Sequence, residues 1–192
     1  METMNEEVQT EVRRVESLDG REMDELCAAT AAAIEDGGGF GWLTPPPRQV
    51  METYYSGVVL VPGRTLFVGL LDGVIAGSAR LGRPTRNNEA QAAACNLMSA
   101  FVAPWARGHG LARKLTEAVE DQARAEGFGM INLDVRETQR AAVHVYESMG
   151  YVHWGSHPLY ARLADGTMVP GRFYYKVLIG ESPEPSNGEQ DE

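Results

Sequence analysis

Arg107-Gly108-His109-Gly110-Leu111-Ala112 is the stretch on which the reading of this chain turns. It lies between an apolar, strand-like run, Ala93 to Val102 followed by Ala103-Pro104, and a long amphipathic pattern. In that pattern Leu111, Leu115, Ala118, Val119 and Gln122 share one helical face, with Gly127 as the stop. Glycine has no Cβ, so a glycine-rich turn at such a junction lets backbone come close to a ligand. The first N–H groups of the helix that follows have no intrahelical partner and sit at the positive end of its dipole. The order is therefore strand, anion-binding turn, helix, and a phosphate suits that geometry. Arg107 and Arg113 flank the turn with charge of the right sign.

The kind of phosphate ligand follows from spacing. A nucleotide loop of the form Gly-x-x-x-x-Gly-Lys-Ser/Thr is absent, and in a Gly-x-Gly-x-x-Gly fingerprint Arg113 would stand where the third glycine belongs. The run instead resembles the acyl-CoA pyrophosphate loop of the GNAT acetyltransferases, Arg/Gln-x-x-Gly-x-Gly/Ala, with Arg107, Gly110 and Ala112 at its fixed positions. Val102-Ala103-Pro104-Trp105 resembles the same family's strand exit. Downstream, Gln139 to Tyr151 resembles its second motif, Asn-x-x-Ala-x-x-x-Tyr-x-x-x-Gly-Phe. Ala142, Tyr146 and Gly150 match there, Tyr151 supplies the aromatic, and Gln139 replaces the Asn. The resemblance spans roughly residues 65–178.

The element order read along the chain is α/β, of the mixed α+β kind. Val8 to Val15 reads as a strand, Asp19 as a helix cap, and Met23, Leu26, Cys27, Thr30, Ala31 and Ile34 as one helical face ended by Gly37. Gly37 to Pro47 is a loop, and a short helix follows to about Tyr55. Thr65–Leu71 and Val74–Leu81 flank Asp72-Gly73, a hairpin signal. Met130 to Val135 is a strand with Ile131, Leu133 and Val135 on one face, and Thr138 is placed to cap the helix carrying Tyr146. Tyr151–Trp154 and Gly171–Leu178 close as an antiparallel pair.

The resemblance implies a GNAT fold: a central twisted mixed sheet of about seven strands flanked by helices, in which two parallel strands splay apart to bind acyl-CoA. The domain would cover residues 8–180, between an acidic disordered N-terminus at 1–7 and an acidic disordered tail at 181–192. Backbone of Ala100, Phe101 and Val102, with Ala103 beside them, would pair with the pantetheine arm like an added strand. The pyrophosphate would rest on Arg107, Gly108, His109, Gly110, Leu111, Ala112 and Arg113. Acetyl-CoA is then the cosubstrate, and the reaction needs no metal.

The chemistry asks for a base to take a proton from the attacking amine and an acid to protonate the departing thiolate. By resemblance Tyr146 is the acid. Asp134, on the strand bordering the thioester, and Glu137, at the following turn, are the candidate bases; solvation or helix capping are the alternatives for both. Ala93 to Val102 holds no acidic residue, so the glutamate that some relatives use there is missing, and Glu89 is a weak substitute. Phe40 and Trp42 would lie on the acceptor side, with Tyr160, Tyr174 and Tyr175 on the opposite wall. His153 and His157 lack a third metal ligand, and His144 reads as an ordinary half-buried residue.

Composition narrows the partners. The formal charge of −10 comes mostly from the ends: residues 1–8 and 181–192 hold eight acids and no base, which leaves 19 acids against 17 bases. No basic stripe for nucleic acid is present. No apolar run reaches the roughly 18 residues that cross a bilayer, and the acidic start is not a secretory signal. Cys27 and Cys95 fall in apolar patterns and read as buried thiols, which fits a cytoplasmic protein. Gly41–Pro47, Arg86–Gln91 and Asn132–Gln139 look like bacterial GNAT proteins of the tabtoxin-resistance type. That likeness implies a small-molecule amine acceptor, an amino-acid-like compound, toxin or antibiotic. A protein N-terminus or lysine is the alternative acceptor, and a non-catalytic acyl-CoA sensor is the alternative to an enzyme. The family's habit of pairing through C-terminal strands leaves room for a homodimer.

Overall fold

The computed structural model describes residues 8–38 and 40–179. The two acidic ends read as disordered tails, residues 1–7 and 181–192, lie outside the described residues. A first strand, β1 (Thr10–Val15), leads to α1 (Gly20–Glu35). The entry to α1 is closed from both sides: Asp19 Oδ1 accepts the Glu22 amide at 2.8 Å and a Glu22 carboxylate oxygen accepts the Asp19 amide at 3.0 Å. That reciprocal pair satisfies two orphan donors of the first turn. Pro47 delivers the chain into α2 (Arg48–Leu60), which runs a full turn past the expected end near Tyr55.

The strands β2 (Arg64–Leu71) and β3 (Val74–Gly82) form the expected hairpin, with Asp72 at φ 49° and Gly73 at φ 78°. Two successive positive φ values give the turn whose twist matches that of the strands. There follow β4 (Ala94–Val102), α3 (Leu111–Ala125), β5 (Met130–Arg136), α4 (Arg140–Ser148), β6 (Val152–Arg162) and β7 (Met168–Val177). Sheet order is β1-β2-β3-β4-β5-β7-β6, with β4–β5 the parallel pair and every other neighbour antiparallel. This is the expected mixed sheet of seven strands flanked by helices. One apolar cluster packs α1 and α2 on one face through Leu26, Tyr55, Val58 and Val68, and another packs α3 and α4 on the other through Leu111, Leu115, Ile131 and Tyr146.

The parallel pair decides where function can sit. β4 and β5 are paired only at Ala94–Met130, Cys95–Ile131 and Asn96–Asn132. Beyond that β4 stays on β3 as far as Val102, and β5 stays on β7 as far as Arg136. Held from outside, the two strands part. The register shift on β4 supplies the bend: between the pairs Ser78–Phe101 and Arg80–Met98, β3 spends one residue and β4 spends two, with Ser99 at φ 48°. A bulge of that kind kinks the strand and raises its twist.

Some local expectations are corrected. β1 begins at Thr10, not Val8, and the final pair is longer than expected on the β6 side. Gln139, not Thr138, is the cap residue of α4, and no side-chain cap bond is made. On α3, Gln122 is not in the buried face; Glu120, 2 % exposed, is. Glu120 is neutralised there by Lys176 at 2.7 Å and Arg124 at 2.9 Å, a pairing that apolar periodicity does not reveal.

Cys27 and Cys95 are both buried and unbridged. Burial pushes both thiols up, that of Cys95 to about 12. A thiol needs its anion to react. The native protein at about pH 8 is therefore expected to give no fast reaction with a disulfide reagent, and two thiols after unfolding. Rapid labelling of the native form would contradict the burial.

Candidate active site

Gly110 is the cap residue of α3 and adopts the left-handed conformation at φ 76°. No side chain caps this helix, and the first amide bonded back to the cap is that of Lys114, to Gly110 O at 3.1 Å. The N–H groups of Leu111, Ala112 and Arg113 thus remain for an anion, at the positive end of a helix of 15 residues. A Cβ built on Gly108 or Gly110 meets nothing within 4 Å, so the space above the turn is open. Leu111 turns its own side chain into the core, where a Cβ on Gly69 would come within 2.8 Å of its Cδ1, and offers only backbone. His109 is exposed.

The two flanking arginines do different things. Arg113 donates to Ser148 Oγ on α4 at 2.7 Å, beside the turn. Arg107, read as a free charge beside the phosphate, is instead paired with Asp36 at 2.6 Å. Asp36 closes α1, so this pair ties the exit of β4 to the end of that helix.

Between β4 and β5 the backbone of β4 from Leu97 to Val102 has no ladder on the β5 side. Phe101 sends its ring into the α1–α2 core, 5.1 Å edge-on from Phe40. Strand alternation turns the backbone groups of Phe101 towards Ser78 on β3 and those of Val102 towards the opening, where the Val102 carbonyl accepts Arg107 Nε at 3.4 Å. The Ala103 amide is already donated to Ala76 O at 2.8 Å, so Ala103 contributes position and not a free N–H.

Tyr146 and Asp134 stand on opposite faces of the β5 layer. Tyr146, on α4, is 7 % exposed and packs edge-on against Tyr151, with ring centroids 5.6 Å apart. Burial pushes its phenol well above the ordinary tyrosine range, and the Asp134 charge adds to the rise. Its hydroxyl makes no hydrogen bond among the described residues, and it is not sealed from solvent as the Tyr151 hydroxyl is. Asp134, exposed on the face away from Leu133, accepts a hydrogen bond from the Tyr160 hydroxyl. Tyr160 reaches it by lying across Gly171, where a Cβ would come 2.2 Å from the ring. The ring also meets Phe173 edge-on at 5.8 Å.

Glu137 is elsewhere. It holds Arg172 at 2.6 Å in a separate concavity of about 720 Å³ lined also by Arg140, His144, Glu147 and Pro170. Tyr174, expected on the acceptor wall, is fully buried on the α4 face and donates to Glu147 at 2.9 Å. Glu89 lies in an exposed turn before β4.

The segment between α1 and α2, expected on the acceptor side, is tied over the exits of the splayed strands. Gly37 O accepts Gln139 Nε2 at 2.8 Å, and Arg136 donates to Phe40 O at 3.0 Å. With Arg107 on Asp36, the segment is tied to the exits of both splayed strands. Trp42 and Pro45 of the segment, with Arg136 and Leu163, line a concavity of about 450 Å³. Gln139, which departs from the family motif, thus acts as a roof tie. The roles of Tyr160 on Asp134 and of Arg136 on the roof carried no spacing signal in the sequence.

The family model described as the acetyltransferase (GNAT) family matches residues 27–151. The chain is 61 % identical over 129 residues to the "Uncharacterized N-acetyltransferase in hisH-hisA intergenic region" of Azospirillum brasilense, covering 67 % of this chain and 77 % of that protein. In fold it is similar to an N-acetyltransferase from Staphylococcus aureus Mu50, with TM-score 0.75, 17 % identity, and 89 % and 99 % of the two chains covered. It is similar too to yncA of Salmonella typhimurium, a putative acetyltransferase solved with its cofactor acetyl-CoA: TM-score 0.73, 18 % identity, 93 % and 99 % covered. Among the described residues no helix is long and apolar enough to cross a membrane.

The raised phenol of Tyr146 has a direct readout. An exposed tyrosine ionises near pH 10, so in a spectrophotometric titration Tyr146→Phe should remove no phenolate signal below about pH 11. Loss of a signal near pH 10 would show that the ring is not held as described.

Proposed function

The chain belongs to the acetyltransferase (GNAT) family and is an acetyl-CoA-dependent N-acetyltransferase, and we propose that its acceptor is the primary amine of a small, amino-acid-like molecule, a toxin or antibiotic among them. The observation that carries this reading is the roof. A protein segment needs an open groove, whereas here the α1–α2 segment is tied to the exits of both splayed strands by Arg107, Arg136 and Gln139. A segment tied down at both exits narrows the approach to Asp134, and a narrow approach suits a small acceptor.

The residues then divide the work. The edge of β4 that faces β5, with Phe101 holding the strand on β3 and Val102 turned to the opening, takes the pantetheine amides as an added strand, and the amides of Leu111 to Arg113 take the pyrophosphate. Bound acetyl-CoA supplies the activated acyl group. Asp134, oriented by Tyr160, takes a proton from the acceptor ammonium, directly or through water, which frees the nitrogen lone pair for attack on the thioester carbon. A backbone N–H of the bulged strand β4 holds the negative charge that develops on the carbonyl oxygen. As the carbon–sulfur bond breaks, Tyr146 gives its proton to the departing thiolate; the attacking nitrogen loses its second proton through water, which restores the phenol, and keeps the acetyl group as a neutral amide. A phenol raised by burial stays protonated across the working range, as a donor must. Glu137, held by Arg172 in the other concavity, has no part in this scheme.

Two variants test the assignment. Tyr146→Phe should lower kcat by about a hundredfold and leave the calorimetric Kd for acetyl-CoA within about twofold; equal loss of both would overturn the acid role. Gly110→Trp adds bulk to open space, so it should cost about 1–2 kcal/mol of stability for its left-handed backbone. It should also abolish measurable acetyl-CoA binding. Unchanged affinity would remove the turn from the cofactor site.

A further inference from the structure

Among the described residues two charged side chains are buried, Glu120 and Arg80. Glu120 has Lys176 and Arg124 beside it. Arg80, 6 % exposed on β3, has no carboxylate partner among the described residues. One nitrogen donates to Ser99 Oγ, Nε donates to nothing, and the remaining company is the face of the Tyr54 ring, 5.3 Å from the guanidinium carbon. Burial disfavours its charge, and the nearby charge of Arg64 acts in the same sense. An uncompensated buried cation is costly, and natural proteins keep one mainly where an anion arrives to complete it.

Its position says which anion. Gly82 pairs with Asn96 on β4, and Asn96 pairs with Asn132 on β5. Two residues along each strand from that row stand Arg80, Met98 and Asp134, so all three project from the same face of the sheet. On that face too Arg136, two residues beyond Asp134, ties down the α1–α2 segment. The guanidinium of Arg80 ends at Ser99, the bulged and half-exposed residue of β4, on the half of that strand that has parted from β5. A guanidinium fork matches a carboxylate in shape as well as charge, whereas pinning Ser99 needs one neutral donor.

We propose that Arg80 recognises a carboxylate on the acceptor, so that the acceptor is a zwitterion whose amine lies at Asp134 and whose carboxylate lies at Arg80 across β4. This rests on the small-amine reading above and names the chemistry that the acceptor must carry beyond its amine.

The test is thiol release from acetyl-CoA by the full-length protein against amino acids and ω-amino acids, each with its methyl ester and its decarboxylated amine. The wild type should favour the free acids over both partners by about a hundredfold in kcat/KM. Arg80→Gln and Arg80→Met should lose that preference through a raised KM for the acids, while kcat on the esters stays within about twofold; Arg80→Lys should recover part of it. Arg80→Met should also melt no lower than wild type, because it removes an uncompensated buried charge. A preference that survives in Arg80→Met would overturn the inference. So would a common fall on acids and esters with a lower melting temperature, which is the mark of a bulge-pinning role. Turnover of amines without regard to a carboxylate overturns the inference and leaves the small-amine reading standing. Acetyl-CoA binding with turnover of no small amine overturns both.

Discussion

The structure depends on one interrupted set of hydrogen bonds. β4 and β5 are joined over three residue pairs and then part, each held by its outer neighbour. A parallel ladder broken in mid-sheet leaves backbone donors and acceptors that must find partners elsewhere. An extended ligand with amides of its own can complete them. The opening also fixes where the rest must be. Leu111 begins α3 at the end of β4, so the free amides of that helix face the mouth, and the α1–α2 segment is drawn across it by contacts to both strand exits.

The bulge that bends β4 and the cation beneath it belong together. Ser99 takes a positive φ in a residue type that seldom adopts one, and its hydroxyl receives Arg80. Several arginines serve as forks on fixed acceptors: Arg136 on two carbonyls of the roof, Arg172 on Glu137 and Glu147, Arg83 on Glu126. Fifteen of the 17 basic residues are arginine, and planar guanidinium groups suit such multidentate ties better than a lysine ammonium does. Arg80 and Arg113 each end on a single serine hydroxyl, but Arg113 is exposed and Arg80 is buried.

Much of this was legible in the chain, and the reason differs by element. The hairpin was written locally in Asp72-Gly73, the α1 cap in Asp19 and Glu22, and the anion turn in Gly108 and Gly110, because each needs a residue type at a fixed offset. That β4 and β5 are neighbouring parallel strands which splay came from the resemblance and agrees with the sheet. Long-range pairings were not legible. Nothing in the spacing of Arg107 points to Asp36, of Tyr160 to Asp134, or of Glu137 to Arg172. Glu120 was missed because a buried carboxylate breaks the apolar period that marks a helix face.

The alternation of β5 gives the proposed chemistry its order. Successive residues point to opposite faces, so Asp134 stands on the acceptor side while Leu133 packs with Tyr146 in the other layer. A proton taken on one face is thus matched by a proton given on the other, without the two groups sharing a hydrogen bond. They are nevertheless coupled, since the Asp134 charge helps to hold the Tyr146 phenol up. When Asp134 takes the acceptor's proton that charge is cancelled, and the phenol becomes a better donor as the thiolate begins to leave. Burial keeps the acid protonated before attack, the charge across the strand adds to that, and the loss of the charge favours the second transfer afterwards.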